Sequence, residues 1–431
     1  MFRSLGNRNF RLWVGTNVFS NIGTWMQSTA QTWLVLTELT DHSAGAVGIL
    51  TALQFLPQVL LVAFTGSLAD HFDRRKLLIT VQCCMTLLAL TLGALIIAGA
   101  VQLWQVYIFG FMLGCLMAFE APARHSFVSD LVGDESIGNA VALNSTAFQV
   151  ARMLGPALAG VCIALVGTGW VFIINGLSYL IVTAGLLNVR VNRAAHASNK
   201  PRGTIRLLDG FRYVAGRKDI RTVFLMLFVF GTLSMNFGIF ISVMAATVFQ
   251  KGASEYGLLT SVMAIGSVAG ALLTARRDRP RLHHAVLGAM LFGCMMAFAA
   301  FSPSYIIFGV ALIGVGLAAQ TCLTSANGFV QLATDREMRG RVMAIYMAIS
   351  FGGLPLGAPL IGWVADTYGA RASLGLAAAA GFLSASIGLA YLIRVRGLRF
   401  IWDETGPRFH LNPDPHLRDP GPAVLPPEEV T

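Results

Sequence analysis

Three groups of residues in this sequence have the types and spacing to do chemistry, and none of that chemistry makes or breaks bonds. The first is the stretch Gly-Ser-Leu-Ala-Asp-His-Phe-Asp-Arg-Arg-Lys, residues 66–76, which lies between two long apolar runs. Asp70, His71, Asp73, Arg74, Arg75 and Lys76 can all carry charge there. Carboxylates and guanidiniums set together form charge-assisted contacts, stronger than neutral hydrogen bonds. The second is Arg152, the one unambiguous charge away from the ends of an apolar run. An arginine in such a setting costs at least about 2.5 kcal/mol and marks a functional position. It answers either an anionic group on a bound molecule, such as a carboxylate, or backbone carbonyls beside Pro156. The third is a polar series, Asn17, Asn21, Thr24, Ser28 and Gln31, spaced 4, 3, 4 and 3, with Gln27 beside it. One stripe of a helix carries them all. That stripe faces a wet cavity or bonds to neighbouring helices. Gln149, three residues before Arg152, together with Asn236 and Gln320, completes the set of candidate cavity residues.

Enzymatic signatures are missing. There is no G-K-[ST] phosphate loop, no H-E-x-x-H helix, no nucleophile elbow and no catalytic carboxylate pair. The sequence therefore reads as a non-enzyme without a cofactor and without direct drive by ATP. Its six cysteines all fall inside apolar runs, with no zinc or disulfide pattern, so no metal site is expected.

What positions these groups is a membrane. The 431 residues are 55% apolar and only 12% charged, with a mean hydropathy of +0.67. Soluble domains carry about a quarter charged residues. Twelve apolar runs of helix-spanning length occur, at roughly 12–37, 45–69, 77–99, 103–122, 139–166, 168–188, 222–248, 256–275, 285–301, 304–327, 341–365 and 373–393. They lack the alternation of a membrane barrel. Arg152 then lies about 20 Å past Asn139 along its helix, near the bilayer middle.

Charge sets the orientation. With the N-terminus inside, 28 of the 31 Lys and Arg fall on the inner side, leaving Lys251, Arg371 and the intramembrane Arg152. The positive-inside rule places both termini in the cytoplasm. The expected location is the bacterial plasma (inner) membrane, with the lipid bilayer as partner. The net charge of +10 follows from that orientation and not from nucleic-acid binding.

The chain also repeats itself. Residues 122–160 laid on 324–362 give nine identities in 39 positions, among them Gly155/Gly357 and Gly160/Gly362. Gly-Ile-Leu-Thr at 48–51 likewise meets Gly-Leu-Leu-Thr at 257–260. Duplication predicts an all-α membrane protein of two parallel six-helix bundles that rock about a central site. The bundles are 1–190 and 222–402, joined by a basic cytoplasmic linker at 191–221. The first thirteen residues look like an interfacial lead-in. Residues 403–431, with seven prolines, read as a disordered cytoplasmic tail.

The 66–76 stretch resembles the loop between spans 2 and 3 of the major facilitator superfamily, G-x-L-A-D-R-x-G-R-R-K. Gly66, Leu68, Ala69, Asp70, Arg74, Arg75 and Lys76 match, while His71 and Asp73 depart. Its D-x-x-D-R-R form resembles the drug and siderophore (enterobactin exporter-like) efflux branch. So do residues 339–366, which look like that branch's span 11. Gly-Pro-Ala-Leu-Ala-Gly at 155–160 is similar to the antiporter motif G-P-x-x-G-G, with Ala159 in place of a glycine; Gly155, Pro156 and Gly160 carry the match.

The resemblance implies that Asp70 bridges the halves when the cytoplasmic side is shut. A carboxylate is stabilised at a helix N-terminus, and span 11 starts near Arg341 on that face. Arg74, Arg75 and Glu120 would hold Asp70 in place. The second-half counterpart at 274–281 puts Arg279 where Asp70 would fall, so this latch is one-sided. The resemblance also implies a monomeric, proton-coupled exporter of a small amphipathic or anionic compound such as a drug, siderophore or metabolite. The sequence departs from the branch where an arginine tied to proton coupling would stand, since that position is Gly110. No carboxylate lies mid-membrane; Asp41 or Glu38, in the outer vestibule, are the coupling candidates that remain. Uptake by the same fold and a non-transporting sensor are the competing readings.

Overall fold

The computed structural model describes residues 3–71, 73–132, 136–189, 207–276, 281–397, 399–403 and 406–410. The first bundle comprises α1 (Arg8–Trp33), α2 (Ala44–His71), α3 (Arg74–Ile97), α4 (Leu103–Leu131), α5 (Ile137–Val166) and α6 (Thr168–Asn188). A short helix, α7 (Leu207–Gly216), leads into the second bundle. That bundle contains α8 (Lys218–Ser234), α9 (Phe237–Val243), α10 (Ala253–Ala275), α11 (Leu282–Ala300), α12 (Tyr305–Ala333), α13 (Arg339–Gly352), α14 (Leu354–Tyr368) and α15 (Ala370–Arg394).

Two of the twelve spans are broken. Span 7 divides into α8 and α9 at Met235–Asn236, and span 11 into α13 and α14 at Gly352–Gly353, just before Pro355. Proline cannot donate a backbone hydrogen bond and clashes with the preceding turn, which is why the ladder restarts there. Eleven helical segments are long and apolar enough to cross a membrane. The first helix, α1, has the length, at 26 residues, but its polar stripe lowers its hydropathy. The protein is thus an all-α bundle of twelve membrane helices in two halves. Below, the face where α1 begins and α15 ends is the terminal face; the other is the far face.

The duplication is written in the backbone. Gly167, between α5 and α6, has φ 91° and ψ 166°. Gly369, between α14 and α15, has φ 89° and ψ 161°. These are left-handed values that favour glycine. The two positions are 202 residues apart, the offset of the sequence repeat. Leu34–Glu38 and Met244–Val248 both form a single π-turn at the far end of the first span of their half.

Local signals explain several boundaries. Asp73 caps α3, its Oδ1 accepting from the Arg75 N–H at 3.1 Å and the Lys76 N–H at 3.3 Å. Asn7 caps α1 in the same way, through Asn9 and Phe10.

Three expectations need correction. The loop expected at 123–138 is helical as far as Leu131, so Arg124 stands inside α4. The interfacial lead-in is instead clasped to the first bundle: Asn7 Nδ2 donates to Leu131 O at 2.7 Å, and Phe10 and Trp13 are fully buried. Aromatic side chains bury too much apolar area to be left at an interface when a core is within reach.

Within the linker region α7 packs on α13. Just beyond it, Arg217 makes a bidentate pair with buried Asp219, at 3.0 and 2.7 Å. The carboxylate holds that guanidinium above its ordinary pKa. Finally, the tail expected to be disordered from 403 begins with an antiparallel hairpin. Its strands are β1 (Arg399–Asp403) and β2 (Gly406–His410), with Arg399 opposite His410. Phe400, Ile401, Trp402 and Phe409 are strand-favouring types. Residues 191–206 and 411–431 lie outside the described residues.

Candidate functional site

Four residues of the polar stripe of α1 bond to other helices of the first bundle. Asn21 Oδ1 accepts from Arg124 Nη1 at 3.1 Å. Thr24 meets the Tyr179 hydroxyl at 3.2 Å, and Gln27 Oε1 accepts from Asn175 Nδ2 at 2.6 Å. Gln31 Oε1 accepts from Gln54 Nε2 at 2.9 Å. These contacts join α1 to α2, α4 and α6. Asn17 is buried and donates within α1, to the Trp13 carbonyl at 2.8 Å. A buried amide is costly unless paired, and for Gln27 and Gln31 the neighbouring helices supply a partner.

The most charged part of this network is Glu120. Its carboxylate accepts from Gln82 Nε2 at 3.0 Å and pairs with Arg124 one turn along α4. Buried Asn17 Oδ1, Ser20 Oγ, Gln82 Oε1 and Arg124 Nε have no protein partner.

Arg152 sits where the two halves meet. Its guanidinium lies 5.9 Å from the centre of the Trp25 ring and donates through Nη2 to Ser267 Oγ of α10 at 3.3 Å. No carboxylate forms an ion pair with it among the described residues, and no backbone carbonyl accepts from it. The structural alternative beside Pro156 is therefore not what is seen. Gln149, one turn before, is half-buried.

The other two cavity candidates are less open. Asn236 is buried at the break between α8 and α9; it donates to Thr232 O at 2.9 Å and leaves its Oδ1 unpartnered. Gln320 donates to Thr324 Oγ1 at 3.0 Å.

Two seams join the halves, α2 against α14 and α5 against α10. Their far-face ends match position by position. A Cβ on Gly160 would stand 2.6 Å from the Ala253 carbonyl oxygen, and one on Gly362 would stand 2.5 Å from that of Ala44. Gly257 likewise rests on the Pro156 carbonyl as Gly48 rests on that of Ala358. Only a residue without a side chain lets backbones approach so closely.

Trp33 of α1 stacks on Tyr256 of α10 across the same end, centroids 5.6 Å apart. Asp366, near the end of α14, caps α2. Its Oδ1 accepts from the Ala44 N–H at 2.6 Å, and its Oδ2 from the Gly45 N–H and the Ser43 hydroxyl, both at 2.9 Å. Toward the terminal face the halves part. A cavity of about 280 Å³ opens there between α2, α4 and α13, with Phe55, Gln58, Met117, Met347 and Phe351 in its wall. The structure is closed at the far face.

Comparison with known proteins agrees with this architecture. The family model described as transmembrane secretion effector matches residues 2–411. The chain belongs to that family, within the major facilitator superfamily. A staphyloferrin A transporter of Staphylococcus aureus is 25% identical over 354 residues, covering 81% of this chain and 87% of that one. The enterobactin exporter EntS of Shigella boydii is 24% identical over 369 residues, covering 84% and 86%. Among solved structures, a bacterial homologue of the human lysosomal transporter Spinster superposes with a TM-score of 0.72 at 15% identity. It covers 89% of this chain and 98% of its own. The nucleoside transporter NupG gives 0.70 at 13%. This transmembrane secretion effector is accordingly a multi-pass membrane transport protein with siderophore-transporting relatives.

Of the latch residues implied by the superfamily motif, Arg75, Glu120 and Arg341 have described partners. Gly66 and Asp70 belong to α2, but their side-chain surroundings lie outside the described residues. Arg74 opens α3. Arg75 donates to the Leu186 and Leu187 carbonyls, both at 2.8 Å, and so caps the end of α6. A guanidinium at a helix C-terminus satisfies carbonyls that have no partner within the helix. Glu120 is engaged with Gln82 and Arg124, so it does not join the latch here. Arg341, in the first turn of α13, faces Asp209 of the linker helix at 3.8 Å.

The antiporter-type motif is a seam motif: Gly155 packs on α1, with Trp25 Cβ where its own Cβ would be, while Pro156 and Gly160 meet α10. Sequence reasoning missed Arg124, Gln82, Asn175, Ser267 and Asp366. The one available signal was the i, i+4 spacing of Glu120 and Arg124.

Proposed function

We propose that this protein is a proton-driven secondary exporter that moves a small anionic, amphipathic compound of the siderophore kind out of the cell by alternating access. The reading is carried by Arg152, a half-buried guanidinium at the seam between the two halves with no ion-paired carboxylate among the described residues. A charge in that position is stabilised when an anion binds, and cargo that brings a carboxylate supplies the missing partner. Separately, Met117, Met347, Phe55 and Phe351 in the wall of the cavity between α2, α4 and α13 offer apolar and aromatic contact to an amphipathic molecule. The distribution of Lys and Arg supports a cytoplasmic terminal face, so the cavity opens to the cell interior, where cargo would be collected. The siderophore-handling relatives agree with the cargo class, and the seam motif agrees with export.

The test is counterflow in proteoliposomes with staphyloferrin A, enterobactin and uncharged analogues, each with and without a pH gradient. Anionic cargo should exchange, acid on the release side should speed its movement, and Arg152→Gln should lose it. Equal exchange of charged and uncharged compounds by the wild type and by Arg152→Gln would end the proposal.

A further inference from the structure

The end of α14 and the end of α2 carry the same short phrase. Residues 362–366 read Gly-Trp-Val-Ala-Asp, and residues 66–70 read Gly-Ser-Leu-Ala-Asp. The helices α2 and α14 belong to opposite halves and run antiparallel along one seam, so the phrase at 362–366 lies beside the beginning of α2. At the far face the contact is complete. Gly362 lets α14 lie on the first residues of α2, and Asp366 accepts three hydrogen bonds there, from the Ala44 N–H, the Gly45 N–H and the Ser43 hydroxyl.

We propose that Asp366 is the extracellular latch of the transporter, the contact that holds the far-face ends of α2 and α14 together. The proposal rests on the alternating-access reading above, but the identity of the cargo does not enter it.

The physical basis is charge-assisted bonding to a helix start. Three donors and the partial positive charge of the α2 N-terminus meet one carboxylate across the seam. Separation of α2 from α14 breaks these contacts together, so they favour the state in which the far face is closed.

Other charged groups at this end are committed elsewhere or stand apart from the carboxylate. Arg371 of α15 donates to the Ser302 carbonyl at 3.1 Å. Glu38 accepts from Thr168 and Glu255 from the Gly252 N–H, the latter capping its own helix. Asp41 and His42 lie in the turn before α2, and Lys251 lies in the turn before α10. None forms an ion pair with Asp366 among the described residues. The seam between α5 and α10 has no such device: the residue 202 positions before Asp366 is Ala164.

The experiment is pulsed electron resonance on full-length protein in nanodiscs, without cargo. The six native cysteines are replaced, and spin labels are placed on the exposed outer turns at Ala100→Cys and Pro303→Cys. The wild type should show mainly the short distance, with a longer one as a minor population. Asp366→Asn should raise the outward-open share about tenfold or more. Should Asp366→Asn fail to fold, Ser43→Ala, which removes one donor, should move the population the same way by less. Wild-type distance distributions in both variants would overturn the assignment to Asp366. A single distance in every variant would instead overturn alternating access itself.

Discussion

The two seams begin as copies and end as different machines. Each is a glycine-lined contact between a gating helix of one half and its counterpart in the other, with Gly160 on Ala253 matched by Gly362 on Ala44. Along α5 and α10, polarity comes from a ladder of neutral serines. Ser254 donates to the Gly160 carbonyl at 3.3 Å, Ser261 accepts from the Ala157 N–H at 3.0 Å, and Ser267 meets Arg152. Along α2 and α14 the described polar contact is one carboxylate on a helix start. Duplication thus supplied the packing twice, while charge was placed once on each side: a cation on one seam, an anion on the other. In the reading proposed above, the first holds cargo and the second closes the far face.

The largest effect should come from what the seams share. Gly160→Leu and Gly362→Leu each drive a side chain into backbone that has no room to yield. Overpacking of this kind costs about 1–3 kcal/mol or more, so both variants should lose cargo counterflow to a similar degree. Unequal loss would break the symmetry of the comparison.

Arg152 comes next. Arg152→Gln should lower exchange of anionic cargo by roughly tenfold to a hundredfold, as expected for removal of a hydrogen bond to a charged partner, with Arg152→Lys in between. The equivalent residue of the other seam is Leu354, and Leu354→Gln should leave charge selectivity unchanged in the same counterflow assay.

Smaller effects sharpen the contrast. Glu255→Gln weakens the cap that α10 carries on itself, and should lower thermal stability by about 0.3–1 kcal/mol without moving the outer-turn distance. The smallest belongs to Gln54→Leu. It removes one interhelical hydrogen bond to Gln31 inside the first bundle, and a melting curve should register about 0.6 kcal/mol with transport intact.

Much of the architecture was legible because lipid makes hydropathy decisive: the spans, the two halves and the linker position all follow from where apolar runs stop. The end of α4 was not, since Arg124 resembles a loop cation until its partner Glu120 is seen one turn earlier. The face of the α1 stripe was readable from its spacing, but not what that face meets. Asn17 and Gln27 look the same whether water or Asn175 lies opposite.

Asp366 was hidden for another reason. As a carboxylate at the end of a span it reads as a solvated boundary residue, and the backbone groups it caps are more than 300 positions away in the chain. Arg152 was the reverse case. A lone charge in an apolar run stands out without any knowledge of its neighbours, and only its partner Ser267 had to come from the structure.

The central claim is that the far-face ends of the two halves must separate for cargo to cross. Trp33 and Tyr256, stacked across that end, provide the place to test it. In a background without the native cysteines, Trp33→Cys and Tyr256→Cys can be joined by a short bifunctional thiol reagent that reductant cleaves. Siderophore counterflow is then followed before joining, after it and after reduction. Flux should stop on joining and return on cleavage. Flux that continues through the joined protein would contradict the account.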